Sequence, residues 1–559
     1  MPSATPSPAW DGRRPATGTE AEATALLGWL TDPEAPRLCL VTGAPGSGKT
    51  ALLGWLARHG PRAGRPRRRT PRVLVPLAGQ SVLGATWTIA DRLGVVARSP
   101  GDLVHALATS DARPAGRAVL LLTDLHAAAE PAALTDLIAE LAGVGRVRLV
   151  VEARSGTPAP ATLRTDRRVA VVDLDGDAEP VDPAAPERER PLPDLADPVA
   201  VCTADPLLVT TAYVTGSAAA GLPGTLDGPE PPARPGENAA EDHGGLRAAW
   251  MRAGQSLCRE QAPSHRALVL LSALGDGADP RLRPALAALA EGSPWRLRWA
   301  RHRGDLTPPW PGPVTVLGTA GGPLEGTLLV GDRTGAVRLL HEADASPAGR
   351  LAHTVPGRVT ALAPAPDGTV LLLDDRGRLH AVRGAAPRAP YLERLTEAVS
   401  ATLARHPGTA LAAIAGSVVV GDRLGSVHAF GLRGLHQAAS HSGRVTAVSA
   451  VDSETPFVCS GGVDGTVRLW TPGRDPRPAP LAERPSPVVS LHATETPHGP
   501  LVAAAWADGL VELHRPEGGR TLSFRPGPPV RAVAVTGAGS LLIGTDESLI
   551  CLVPRYLSP

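Results

Sequence analysis

Lysine is all but missing from this chain. Of the 56 basic residues among 559, 55 are arginine and one is lysine, Lys49. Asparagine is just as scarce, with Asn238 alone, while glycine (61) and proline (59) abound. The combination reads as GC-rich coding bias, under which arginine stands wherever any cation will do. The position that keeps lysine needs a compact ammonium on a flexible stem, which folds back onto phosphate oxygens where a planar guanidinium fits poorly. Aromatic residues amount to 3%, so the cores must be aliphatic.

Other absences narrow the class. A net charge of +1 gives no global pull toward nucleic acid or a membrane surface. The longest bland apolar stretch, Thr409 to Val420, is too short to cross a bilayer. Pro2 to Gly18 lacks the apolar core of a signal peptide, and residues 1–18 read as a disordered leader. Five scattered cysteines (Cys39, Cys202, Cys258, Cys459 and Cys551) offer neither a disulfide framework nor a metal-like pairing. Together these features predict a protein of the reducing cytoplasm. The length predicts roughly three or four domains.

Lys49 sits in Gly43-Ala44-Pro45-Gly46-Ser47-Gly48-Lys49-Thr50, between a buried strand at Leu38–Thr42 and a helix at Ala51–His59. Strand, glycine-rich loop and helix form the setting that a phosphate-binding loop requires. Gly43, Gly46 and Gly48 permit the turns that aim backbone N–H groups at phosphates, and the helix N-terminus adds its dipole. Lys49 would neutralise the β- and γ-phosphates of ATP or ADP, and Thr50 would offer a hydroxyl to Mg²⁺. Further apolar runs at Val73–Leu77, Ala118–Leu122 and Arg148–Val151 alternate with helical stretches, which predicts an α/β domain with a parallel sheet over 19–175.

A hydrolysing enzyme of this kind also wants an aspartate at the end of a buried strand and an acid that polarises water. The strand reads Val119-Leu120-Leu121-Leu122-Thr123-Asp124-Leu125-His126-Ala127-Ala128-Ala129-Glu130. Asp124 is the candidate for both the metal and the catalytic role, and His126 reads as a surface histidine ahead of a polar substitute. Glu130 lies six residues beyond it.

Residues 176–197 and 216–244 are rich in Pro, Gly, Asp and Glu and read as disordered linkers. They flank helical pieces at Pro198–Val214, Leu246–Cys258, His265–Ala273 and Pro280–Ala290, a small adaptor within 176–304. From about residue 305 the period changes. Six hairpins recur: GDRTGAVRLL, LDDRGRLHAV, GDRLGSVHAF, GGVDGTVRLW, AWADGLVELH and GTDESLICLV. Their spacing is that of four-stranded propeller blades, which predicts an all-β propeller over 305–559 with six blades, or seven. Leu306–Trp310 before Pro311-Gly312-Pro313-Val314 is similar to Leu351–Val355 before Pro356-Gly357-Arg358-Val359, so Leu306–Trp310 is expected to close the ring.

The repeats resemble the WD-repeat family. Only the fourth keeps the stapling set His441, Ser460, Asp464 and Trp470, expected to form one hydrogen-bonded chain, while the others would rely on apolar packing. Toward the N-terminus, TEAEATALLGWLTDPEAPRLCLVTGAPGSGKTALLGWLA resembles the start of the bacterial NACHT-like and apoptotic-ATPase-like group, the STAND NTPases. The likeness runs through Val147-Arg148-Leu149-Val150-Val151-Glu152-Ala153-Arg154 and includes Ala204-Asp205-Pro206-Leu207-Leu208, similar to the family's Gly-x-Pro helix without its glycine.

That resemblance implies an ATP-driven signalling switch in which a propeller sensor controls nucleotide state and assembly. In its best register Thr123 takes the place of the metal aspartate, and His126 and Ala127 take the places of an acidic pair. Weak or absent hydrolysis is implied. Arg154 falls where the family often senses the γ-phosphate, or it is a solvated surface arginine. The implied partners are a protein on the propeller and a nucleotide-dependent homo-oligomer, and a plain interaction scaffold is the rival reading. A small-molecule kinase would leave the propeller unexplained. The arginines of Pro61–Arg72 lack interleaved aromatics and read as a solvated loop, not a nucleic-acid contact.

Overall fold

A computed structural model describes residues 19–59, 72–109, 118–165, 168–175, 191–219, 242–303, 314–351, 355, 357–365, 367–382, 390–414, 416–431 and 434–555. The leader, Arg62 to Arg69, the linker cores 176–190 and 220–241, and Leu306–Trp310 lie outside the described residues. The chain divides into two compact units, Met1–Asp194 with Ala204–Glu230, and Leu195–Thr203 with Pro231–Pro559.

In the first unit, strands β1 (Leu38–Thr42), β2 (Arg72–Pro76), β3 (Ala118–Thr123), β4 (Val147–Glu152) and β5 (Val169–Asp173) form one sheet in the order β2-β3-β4-β1-β5. Every pairing in it is parallel. The alternation of each strand explains why helices must cover both faces. Leu38, Leu40, Leu120, Leu122, Leu149 and Val151 bury against residues of the helices Val82–Leu93 and Pro131–Gly143. Cys39, Val41, Val119, Leu121 and Val150 turn the other way, toward Leu26 and Trp29 of the helix Glu20–Thr31 and Leu52, Leu53 and Leu56 of Lys49–His59. A parallel sheet buried on both faces reads as continuous apolar runs, as these strands do.

Arg148 is the exception inside β4. It is 4% exposed and reaches back to the end of the first helix, donating to the carbonyls of Trp29 (2.8 Å) and Leu30 (3.1 Å) through Nη1 and of Asp32 (2.6 Å) and Ala35 (3.2 Å) through Nη2. Its guanidinium also lies 4.8 Å from the Trp29 ring centre. The cation caps the negative end of a helix dipole, which offsets its own burial. The helical segment after Pro198 is divided at Ala204. Pro206–Ala219 packs on Val82–Leu93 of the first unit, where the Thr211 hydroxyl bridges Ser81 N–H (3.3 Å) and Gly79 O (3.3 Å). Pro198–Thr203 packs with the helices Pro263–Ala273 and Leu282–Leu289 of the second.

The second unit carries a six-bladed β-propeller. Five of its sheets have four strands and one has three, and the innermost strands touch in sequence, with the sixth returning to the first. The closing strand is not Leu306–Trp310. It is Trp295–His302, which pairs antiparallel with Ser548–Pro554 and completes blade six. Trp295 and Trp299 are buried along it, and the Trp295 indole donates to Ser523 O (3.0 Å). Among the described residues blade two has three strands, and the helix Pro390–Leu403 packs against the third, with Leu395, Val399 and Leu403 in the shared core. Four of the five cysteines are buried and all five are free. No described helix is long and apolar enough to cross a membrane.

The blades are stapled in two ways. In blade four His441 Nε2 meets Ser460 Oγ at 2.9 Å, and its Nδ1 meets Asp464 Oδ1 at 3.1 Å and Thr466 Oγ1 at 3.0 Å. Trp470 is outside that network, because its indole donates to Arg474 O (2.9 Å). Blades one to three do not rely on apolar packing alone. An aspartate two places earlier in the turn, Asp332, Asp374 or Asp422, accepts turn amides and faces a basic side chain six residues on. The partners are Arg338 (3.7 Å), His380 (2.9 Å) and His428 (2.9 Å).

The two devices exclude each other. The matching position in blade four is Gly462, where a side chain would collide with His441 and Asp464. Blade five uses a third arrangement, with Arg484 over the Trp506 ring at 5.5 Å and both Arg484 and Arg525 on Asp508. Asp422 accepts from Leu424, Gly425 and Ser426 N–H, each at 2.8 Å. Burial raises its carboxyl pKa, but the His428 bond and the amides outweigh burial and hold it below the ordinary range. Asp422→Ala is expected to lower stability by about 1 kcal/mol in chemical denaturation, since it orphans part-buried donors. Asp546→Ala, which breaks a solvated pair, should cost less than about 0.5 kcal/mol.

Candidate functional site

The C-terminal ends of β1, β3 and β4 are adjacent in the sheet and bring the loop Gly43–Thr50, Asp124 and Glu152 together. Gly46 (φ 80°) and Gly48 (φ 86°) take left-handed conformations that leave the loop wrapped over the start of the helix Lys49–His59. Lys49 is 6% exposed and folds back over this loop, donating to Gly43 O (2.9 Å), Ala44 O (2.6 Å) and Ser47 Oγ (3.2 Å). Burial holds its pKa below the usual lysine value, against the attraction of Glu152, Asp175 and Asp124. The Ala44 amide donates to the Asp175 carboxylate, so an anion already rests on a backbone N–H of the loop. Pro45 and Ser47 shape the crest, and the Ser47 amide closes onto Ala44 O (3.3 Å).

Thr50 donates its hydroxyl to Glu152 Oε1 at 2.9 Å. Glu152 is 2% exposed and its Oε2 has no hydrogen-bond partner. Its pKa is pushed up to about 7, first by burial and then by the Asp124 charge, against the Thr50 bond and Lys49. The backbone of Asp124 also bonds to Glu152. Asp124 is a non-glycine residue at φ 57°, a conformation that costs free energy and concentrates at functional sites. Glu152 was not singled out by sequence reasoning, because it reads as the last residue of an apolar strand. The signal that could have found it is a carboxylate closing the strand beside the glycine-rich one.

The remaining candidates are distributed unevenly. Thr123 is buried in β3, and its carbonyl accepts from Leu77 N–H (2.9 Å). His126 is half-buried in the short turn after Asp124, and burial lowers its pKa. Glu130 is committed to structure, since it accepts from Val82 N–H (2.8 Å) at the start of the helix Val82–Leu93. Arg154 is exposed, yet near enough to Lys49 and His126 to lower both of their pKa values. The Thr50 hydroxyl, the Asp124 carboxylate and the orphaned Glu152 oxygen are hard oxygen donors of the type Mg²⁺ takes. A magnesium ion therefore fits the residues present.

The ring of six blades defines the second unit as a β-propeller, and the His441–Ser460–Asp464 network marks its fourth blade as a WD repeat. Residues 435–471 match the family described as WD domain, G-beta repeat. Among solved structures the chain is similar to the crystal structure of the WD40 beta propeller domain of Doa1. That likeness has 13% identity and a TM-score of 0.33, covering 47% of this chain and 97% of that one. It is also similar to the computationally designed Ika8 protein, at 19% identity and a TM-score of 0.28, over 43% of this chain and 71% of that one. No curated protein matches the chain in sequence. A WD propeller commonly binds protein partners.

Glu152 makes the first unit pH-sensitive. Its ordinary pKa is 4.5 and its folded value about 7, so between those limits the folded form keeps a proton that the unfolded chain has released. Stability should fall as pH rises through that window, by about 3 kcal/mol in total. Glu152→Gln should flatten the slope, read by denaturation at a series of pH values in EDTA without nucleotide.

Proposed function

We propose that the chain is a nucleotide-binding switch coupled to a protein-binding propeller. The first unit holds ATP or ADP with Mg²⁺ through Gly43–Thr50, Asp124 and Glu152, and the propeller holds a protein partner. The observation that carries this reading is Lys49, the only lysine in the chain, which lies folded over a glycine-rich loop at the C-terminal edge of a parallel sheet. Such edges are where α/β sheets receive ligands. The lysine and the loop amides would bind the phosphates, Arg154 would approach the γ-phosphate, and bound nucleotide would displace Asp175 from the Ala44 amide. The metal would supply charge neutralisation between the phosphates.

Hydrolysis is weak or absent in this reading, since His126 and Ala127 stand where an acidic pair would polarise water. The nucleotide acts as a signal, read as a change in assembly of the cytoplasmic protein. Reversing a 1:99 population takes about 5.5 kcal/mol of differential binding. A triphosphate gripped by Lys49, Arg154 and a metal could supply several of those.

A second reading, an interaction scaffold stabilised by its nucleotide, is favoured by the same lack of an acidic pair. Light scattering separates the two, because a switch changes its oligomeric state between ATP and ADP and a scaffold does not. Lys49→Ala should abolish binding of a fluorescent ATP analogue with Mg²⁺ while the propeller's unfolding transition stays in place. Unchanged affinity in that variant would refute the nucleotide site.

A further inference from the structure

One face of the propeller carries a row of arginines that form no ion pair among the described residues. In each blade the start of the innermost strand lies beside the end of the second, as in Val359 opposite Asp374 and Val445 opposite Gly462. The turn from second to third strand and the loop entering the blade therefore share one face. That face is continuous from blade to blade, because the turn glycines Gly335, Gly377 and Gly425 press against the backbone of the loop that enters the next blade. Arg333, Arg358, Arg376, Arg405, Arg423 and Arg444 alternate between turns and loops along this path through blades one to four. All six are exposed, and none forms an ion pair among the described residues.

The contrast with the rest of the ring is informative. On the same face of blades five and six the arginines of the entering loops and of the innermost strand are neutralised, although Arg303 beside the blade-six turn is exposed without an ion pair among the described residues. Arg484 and Arg525 lie 2.7 and 2.8 Å from Asp508, and Arg531 lies 2.9 Å from Asp546. Within the arc the turn acids Asp332, Asp374 and Asp422 are consumed by the blade staples, which leaves Asp375 as the exposed carboxylate. The opposite face mixes the two signs, with Asp452, Glu454, Glu495 and Glu517 exposed beside Arg474, Arg477 and Arg520. The arc also contains two aliphatic side chains displayed to solvent, Leu424 at 85% and Val463 at 42% exposure, in the turns of blades three and four.

We propose that this arc is the docking surface for an acidic protein segment that carries an aliphatic anchor. Carboxylates pair with the guanidiniums, which suit bidentate recognition, and the anchor covers Leu424 and Val463. Nucleic acid is disfavoured because the arc offers no Phe, Tyr or Trp ring among the described residues on which a base could stack. The arc's charge deepens the protein-binding reading of the propeller by giving the partner's charge, and it is independent of any nucleotide bound to the first unit.

The test uses the full chain and three fluorescent peptides of about twelve residues, rich in Glu with central leucines, the same with Gln, and the same with Arg. A double-stranded DNA of comparable charge is the fourth probe. The Glu peptide should bind, about tenfold or more tighter than the Gln peptide, and should weaken from about 50 to about 300 mM salt. Arg358→Glu with Arg423→Glu should abolish that binding, and Arg520→Glu on the opposite face should leave it unchanged. Arg423→Gln, a milder change that keeps the turn, should weaken it about threefold, and Leu424→Ser should weaken it without altering the salt slope. Equal affinity for the Glu and Gln peptides, or retention by the double variant, would overturn the proposal. Tighter binding of DNA than of the Glu peptide would also overturn it and assign the arc to nucleic acid. A propeller that loses its partner peptide while Lys49→Ala leaves that binding intact would separate this surface from the nucleotide reading.

Discussion

Ring closure is the constraint on which the second unit depends. Six sheets arranged radially leave one gap where the first strand after the helices and the last strand of the chain must meet. Trp295–His302 and Ser548–Pro554 meet there over eight and seven residues respectively. Each blade buries its apolar faces only against its neighbours, so a gap would expose the cores on both sides at once. The strand that closes the gap also follows directly from the helices Pro263–Ala273 and Leu282–Leu289, and Ser256 reaches across to Arg525 O (2.8 Å). The helices and the ring therefore share covalent continuity and packing, and loss of the helices would withdraw the closing strand.

Much of this was legible. Six turns at a regular period, five of them with glycine, identify a propeller because the spacing is that of four short strands per repeat. The parallel sheet was visible in apolar runs too short to be helices. What escaped has a physical reason in each case. Trp295–His302 alternates Trp, Leu and Trp with arginines, a strand pattern, but its position against the helices hid it, and the local likeness at Leu306–Trp310 drew attention to the wrong segment. The helix Pro390–Leu403 interrupts a repeat that everywhere else supplies a strand. The blade staples were missed because the resemblance directed attention to the fourth blade, whereas an aspartate and a basic residue six apart recur in the first three.

The site was half legible for a similar reason. Lys49 and Thr50 stand in a contiguous motif, and contiguity is what a sequence displays. Glu152 belongs to the site through the order of strands, since β4 lies between β3 and β1, and that order is a property of the fold. Its burial, its orphaned oxygen and the left-handed Asp124 beside it are features that only three dimensions reveal. They also change the chemical picture, because a region that looked depleted of acids contains two carboxylates linked through the Asp124 backbone.

The helix against blade two gives the ring a landmark. Propeller rims are built from outer strands whose unpaired edges invite another strand to add. At blade two the described residues place a helix instead, with Leu395, Val399 and Leu403 in a core shared by blades two and three. One sector of the rim is thus helical where the others are stranded, so the near-sixfold ring can be gripped in a defined orientation.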